Sequence, residues 1–268
     1  MSRTTFTELI KSCEIDTDRN VQATITEDWM QGRTTYGGLS AALCLRAAEL
    51  SQQNSVSSLP PLRSALINFV GPAGGAVSMQ ADTLRAGKSV SNIQVNMSGE
   101  HGLATHAVFT FGASRPSKLS HYFKPCPTVP KVDESDGFFN HSKRPSFTQN
   151  FEVKLAKGAH PLSGSDEHEH YLWIRHKDKK ANDLAALIGI ADMPPPAVLP
   201  MFEEFSPISS MTWMINFLSE DLSTEDGWWL MRTTADHAID GYSSQDMQIW
   251  NSRGDLVTTG HQSVAIFY

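Results

Sequence analysis

Gly37 and Gly38, in the stretch TTYGGLSAALCLRAAEL, are suited to act on an electrophile. A helix beginning there presents unpaired backbone N–H groups and a partial positive charge, and the missing Cβ atoms let a carbonyl come close. Tyr36 beside them is expected either to line whatever enters or simply to pack. Asp192 stands just before Pro194, Pro195 and Pro196, where it is expected to cap a turn or to reach the same cleft. Asp236 sits in a strand-like run and is a carboxylate able to take a proton from water. The run Asp166, Glu167, His168, Glu169, His170 resembles a set of metal ligands. A strand edge dressed with charge against aggregation explains it without an ion, so no metal is expected. Cys13, Cys44 and Cys126 show no CxxC spacing and are expected to be free thiols, neither zinc ligands nor a redox pair. No G-x-S-x-G sequence occurs, which leaves a serine α/β-hydrolase mechanism unsupported.

The elements that must position these residues are duplicated. Residues 62–72 and 76–111 read as a copy of residues 208–220 and 228–267. Each copy has a strand ending in Asn-Phe, at Asn68-Phe69 and Asn216-Phe217, then three strand-length runs whose last turn carries Gly102 or Gly254. Two copies indicate a fused pair of similar units rather than a solenoid. In the first, Leu39, Ala42, Leu43, Ala47 and Leu50 share one helical face, which predicts a helix with that face buried. In the second, a helix is expected near residues 182–192, stopped by the three prolines. Alternation along each run, with Met211, Trp213, Ile215 and Phe217 turned inward, predicts an antiparallel meander curved around its helix. The predicted boundaries are a first unit over 1–115, a linker rich in Pro, Ser, Lys and Asp over 116–145, and a second unit over 146–268.

Length and composition agree with two domains of ordinary size: 268 residues, 40% hydrophobic and 19% charged. A net charge of -7 argues against nucleic-acid binding, which draws on a basic surface. The start of the chain has no apolar leader-like run, and no stretch of about 20 apolar residues occurs. A cytoplasmic protein with no membrane partner is therefore expected.

The order of elements, together with TYGGLSAAL, LWIRHKD, LIGIAD and WWLMRTTADHAIDGYSSQDMQIWNSRGDLVTTGHQ, resembles the TesB-like, acyl-CoA thioesterase II type family. The resemblance implies an α+β double hotdog fold: two curved antiparallel sheets, each wrapped around a central helix, paired as a pseudo-dimer. It implies hydrolysis of an acyl-CoA thioester, in lipid metabolism, by water held by an Asp, a Thr and a Gln of the second unit, without a cofactor. Gln262 falls on the family's Gln. Ser209 stands where the family's Asp is expected, and an ungapped count puts Asp236 at the family's Thr, with Thr234 two residues away. Ser209 has no proton-accepting group of suitable pKa. The expectation is therefore that Asp236 faces Gln262 across neighbouring strands and supplies the base. Ser209 in place of an acid also makes a non-catalytic double hotdog that binds acyl-CoA the alternative. A dehydratase of the same architecture is set aside, because His160 and Gly164 fit half of its HxxxGxxxxP pattern and Glu169 occupies the proline position. Arg33, Arg63, Arg85 and Lys88 are the basic residues of the first unit that can meet CoA phosphates. Homo-oligomers are expected, since sheets of this kind bury their edges by pairing.

Overall fold

Alternating apolar residues bounded by glycine turns produce the antiparallel strands that dominate both halves of the chain. The computed structural model describes residues 3–53, 59–139 and 144–268. By its internal contacts the chain divides into one unit of Met1–Ser120, Pro145–Asn150 and Asp178–Gly189, and another of His121–Arg144, Phe151–Lys177 and Ile190–Tyr268.

The first unit opens with α1 (Phe6–Lys11), whose N-terminus is closed by a capping box between Thr5 and Glu8. Then follow β1 (Glu14–Ile15), β2 (Val21–Ile25), the short pair β3 (Met30–Gln31) and β4 (Thr34–Thr35), and α2 (Gly37–Ser51). The meander β5 (Leu62–Phe69), β6 (Gly75–Ala86), β7 (Val90–Gly99) and β8 (Gly102–Gly112) completes it. Its strands pair antiparallel in the order β1-β2-β6-β7-β8-β5. Helix α2 packs against β2, β6, β7 and β8. Leu39, Ala42, Leu43, Ala47 and Leu50 are buried as their spacing predicts, but so are Ala41, Cys44, Leu45 and Ala48. The helix is thus a core helix, covered on nearly every side. Each fully buried leucine contributes about 1.5–3 kcal/mol relative to exposure.

In the second half, β9 (Asp136–Gly137), β10 (Phe151–Lys157) and β11 (Glu169–His176) precede α3 (Leu184–Ala191). Asp183 caps that helix, its Oδ1 accepting from the Ala186 N–H at 2.9 Å. By contacts, its residues up to Gly189 belong with the first unit and Ile190 onward with the second. The second meander is β12 (Ile208–Phe217), β13 (Trp229–Ile239), β14 (Tyr242–Trp250) and β15 (Leu256–Ile266), and the second unit's strands run in the order β12-β15-β14-β13-β11-β10-β9. Part of the stretch read as a linker is woven into this sheet. Strand β9 pairs with β10, Phe138 is fully buried, and Lys154 Nζ donates to the Val132 carbonyl at 2.7 Å.

The duplication extends to irregularities in the ladder. Strand β5 bulges at Arg63 and β12 at Met211, each five residues before its Asn; β6 bulges at Leu84 and β13 at Asp236. Between those bulges, the cross-strand row Ala65, Phe109, Ile93, Thr83 of the first unit corresponds to Trp213, Gln262, Gln245, Ala235 of the second.

Candidate functional site

That corresponding row is where the two units part company chemically. In the first unit it presents Phe109 and Ile93, both fully buried, as hydrophobic core. In the second, the same inward positions hold Gln262 and Gln245, exposed by only 3% and 2%. The fold does not require amides there, and burying them without partners would be costly. Each amide has a partner for its oxygen and for one of its N–H groups. The Ala197 N–H donates to Gln245 Oε1 at 2.8 Å, Gln245 Nε2 donates to Gln262 Oε1 at 2.8 Å, and Gln262 Nε2 donates to Asp192 Oδ1 at 2.5 Å.

Each link has a local cause. Asp192 follows the last turn of α3, and the Met193 N–H closes that turn on the Ile190 carbonyl at 2.9 Å. The three prolines then stop the helix and carry the chain to Ala197, whose N–H is left to seek an acceptor outside a helical ladder. Ala197, Val198, Phe202 and Ala235 form a small buried cluster that holds this segment against the inner face of β13. Trp213, opposite Gln262, is 1% exposed and donates its Nε1–H to Met247 Sδ at 3.2 Å. The outcome is a half-buried carboxylate fixed by an amide whose orientation is itself fixed.

The other residues singled out from sequence are placed differently. Asp236 does not face Gln262 across neighbouring strands: β14 lies between β13 and β15, and Asp236 is the extra residue of the β13 bulge, at the position of the exposed Leu84 in the first unit. It is exposed on the outer surface, where its carboxylate and those atoms of Asp246 and His261 able to bind a metal lie within 4.8 Å of one another. His261 is held there by Asp246 Oδ1 at 2.8 Å from Nδ1 and Ser244 Oγ at 3.1 Å from Nε2. Thr234 pairs with Asp246 and Glu169 on that outer surface, and the inward threonine is its neighbour Thr233, 1% exposed. Ser209 pairs with Ala265 and is exposed. An ungapped count cannot register bulges, and the two at Met211 and Asp236 shift the alternation on which the inward assignment depended.

The glycines and tyrosine of the first unit are engaged in packing. Tyr36 is fully buried, stacks on Phe147 with ring centroids 4.1 Å apart, and donates its hydroxyl to the Gly189 carbonyl. A Cβ on Gly38 would lie 2.6 Å from Tyr36 Oη and 2.8 Å from the Gly189 carbonyl oxygen, so glycine is required there by close approach. Gly37 beside it is half-buried. Arg63 is tied down by Gly112 O and Ser114 Oγ, each at 2.8 Å.

The acidic-imidazole run is no charged edge, because β11 lies between β10 and β13. Glu169 points outward to Arg232, accepting from its Nε at 2.6 Å, while His170 points inward and is fully buried. Desolvation pushes the His170 pKa down to about 4 and keeps the ring neutral. Gln245 and Thr233 were missed from sequence alone, and His170 was weighed only as part of that charged run. The signal that marks Gln245, a polar residue where the sister unit has Ile93, needs the bulge-corrected register.

Comparison with known proteins places this architecture. Residues 25–112 match the acyl-CoA thioesterase N-terminal domain and residues 124–266 the acyl-CoA thioesterase C-terminal domain. No curated protein matches the chain. Among solved structures, a conserved protein of unknown function with a hot dog fold from Alicyclobacillus acidocaldarius aligns with TM-score 0.85 at 22% identity, over 100% of this chain and 99% of that one. An acyl-CoA thioesterase II, TesB2, from Mycobacterium marinum aligns with TM-score 0.77 at 18% identity, over 97% and 98%. The tesB protein of Mycobacterium avium subs paratuberculosis aligns with TM-score 0.78 at 14% identity, over 97% of each chain. The fold is a double hotdog, two such units in tandem, and the chain belongs to the acyl-CoA thioesterase family.

Proposed function

We propose that the chain hydrolyses acyl-CoA thioesters to free acid and CoA, with Asp192 as general base and Gln262 as the group that orients it. The observation that carries this reading is the bond from Gln262 to Asp192 in a row that the sister unit fills with core hydrophobics. Asp192 takes a proton from a water whose oxygen attacks the thioester carbonyl carbon. The tetrahedral intermediate then collapses, its C–S bond breaks, and the departing CoA thiolate recovers the proton from Asp192. Gln262 has a second N–H besides the one given to Asp192, and it is the donor available to the water or the developing oxyanion. Gln245 sets the orientation of Gln262 and touches no reacting atom. With a carboxylate at Asp192, Ser209 no longer argues for a non-catalytic binder.

The test is CoA release from acyl-CoAs of several chain lengths, followed with a thiol-detecting dye. Asp192→Asn is expected to lower kcat by about 1,000-fold with an unchanged melting temperature, while Asp236→Asn keeps turnover within about twofold. The opposite ranking, or full activity in Asp192→Asn, refutes the assignment.

A further inference from the structure

One pleat repeat along the strands from the Gln262–Gln245 row, His170 on β11 faces Thr233 on β13, which faces Met247 on β14. Both polar residues are turned inward, at 0% and 1% exposure. Among the described residues, neither ring nitrogen of His170 has a hydrogen-bond partner, and the Thr233 hydroxyl has none either. A buried polar group without a partner costs roughly 1–3 kcal/mol. Two such groups side by side point to a partner that arrives from outside the protein, a water or a ligand.

The chemistry of the pair narrows that ligand. The ring is neutral, so it offers one N–H donor and one acceptor nitrogen rather than a positive charge, and the threonine hydroxyl can donate and accept. A carboxylate buried there would have the Phe138 ring beside it, 5.9 Å from the His170 ring between centroids, and no counter-charge among the described residues. A bare methylene would leave three polar atoms unpaired. A hydroxyl or keto oxygen can pair with one of the ring nitrogens and with the threonine hydroxyl at once. Resting on the thioesterase reading above, we propose that His170 and Thr233 select an acyl chain that carries a hydroxyl or keto oxygen remote from the thioester. Remoteness follows from the ladder. Thr233 lies two strands from Gln262, about 10 Å across the sheet and about 7 Å along it on ordinary strand spacings. An oxygen on the carbon β to the carbonyl falls short of that position.

The experiment compares kcat/KM for dodecanoyl-CoA and its β-hydroxy and ω-hydroxy derivatives in the wild type, Thr233→Val and His170→Phe, with melting temperatures checking that the variants fold. The wild type is expected to favour the ω-hydroxy substrate by about 100-fold over the other two, and each variant to bring that ratio close to one. In parallel, calorimetry measures wild-type binding of S-dodecyl-CoA and its ω-hydroxy analogue, thioethers that cannot be hydrolysed. Equal rates on all three substrates together with equal affinities for both thioethers overturn the proposal, and would mean that an ordered water alone satisfies His170 and Thr233. A ratio that survives in Thr233→Val overturns it too. Binding preference without CoA release sinks the hydrolase reading and leaves this inference standing; release without preference does the reverse.

Discussion

Gln262 has one amide oxygen and two N–H donors, and the direction of its bonds is dictated from the far end of the chain that holds it. The Ala197 N–H can only donate, so it takes the oxygen of Gln245; Gln245 must then donate to Gln262, and Gln262 must donate to Asp192. A carboxylate that receives such a bond is positioned as a proton acceptor. His170 is the opposite case, a titratable ring with no hydrogen-bond partner among the described residues. Its folded pKa of about 4 lies below the 6.5 of an unperturbed histidine. The unfolded chain therefore binds a proton between those values that the native state refuses. The contribution of His170 to stability is full above its unperturbed pKa and falls as the pH drops toward 4, by about 2–3 kcal/mol. Urea midpoints at pH 7 and pH 4.5 should differ less in His170→Phe than in the wild type; equal pH dependence in both would contradict the assignment. Removing an unpaired ring should also raise the variant's stability at pH 7.

At the scale of elements, the bulges and helix ends decide which side chains enter the interior. The bulge at Asp236 puts Ala235 and Thr233 inside and leaves Thr234 outside with Asp246. The end of α3 matters as much: three prolines terminate the helix immediately beyond Asp192, so the carboxylate is delivered at a chain reversal rather than on a helical face. Helix α2 has its own constraint at Gly38, where a methyl group would strike both Tyr36 and the backbone of Gly189. Gly38→Ala is expected to cost about 2–3 kcal/mol, because the backbone carbonyl cannot yield as a flexible side chain can, and chemical denaturation should reveal the loss. A neutral substitution would show that the helix can withdraw from Gly189.

Across the whole molecule, the duplication supplies an internal control. One unit fills the row between its bulges with Phe109 and Ile93; the other fills it with a hydrogen-bonded chain of two glutamines. Placing an amide in the first unit, Phe109→Gln, buries polar atoms in a site with hydrophobic neighbours and should cost about 3 kcal/mol or more. The near-isosteric pair Gln245→Met with Gln262→Met should cost less, about 1–3 kcal/mol for the orphaned Ala197 N–H, yet lower thioester turnover by at least about 100-fold. Unfolding curves and CoA release on the same samples test the asymmetry, which fails if Phe109→Gln is as stable as the wild type. The repeated Asn-Phe strand ends, the glycine turns and the apolar periods of α2 were legible in the linear sequence, because they record local geometry and which side of an element is covered. Those features determined the two-unit hotdog architecture, and the C-terminal motif already marked Gln262. The tertiary structure alone decided that Asp192 rather than Asp236 meets that glutamine, that Thr233 rather than Thr234 turns inward, and that His170 is buried with no partner among the described residues. Each of those depends on a one-residue shift at a bulge or on a contact between side chains up to 70 positions apart, and neither leaves a trace in the spacing of residues along the chain.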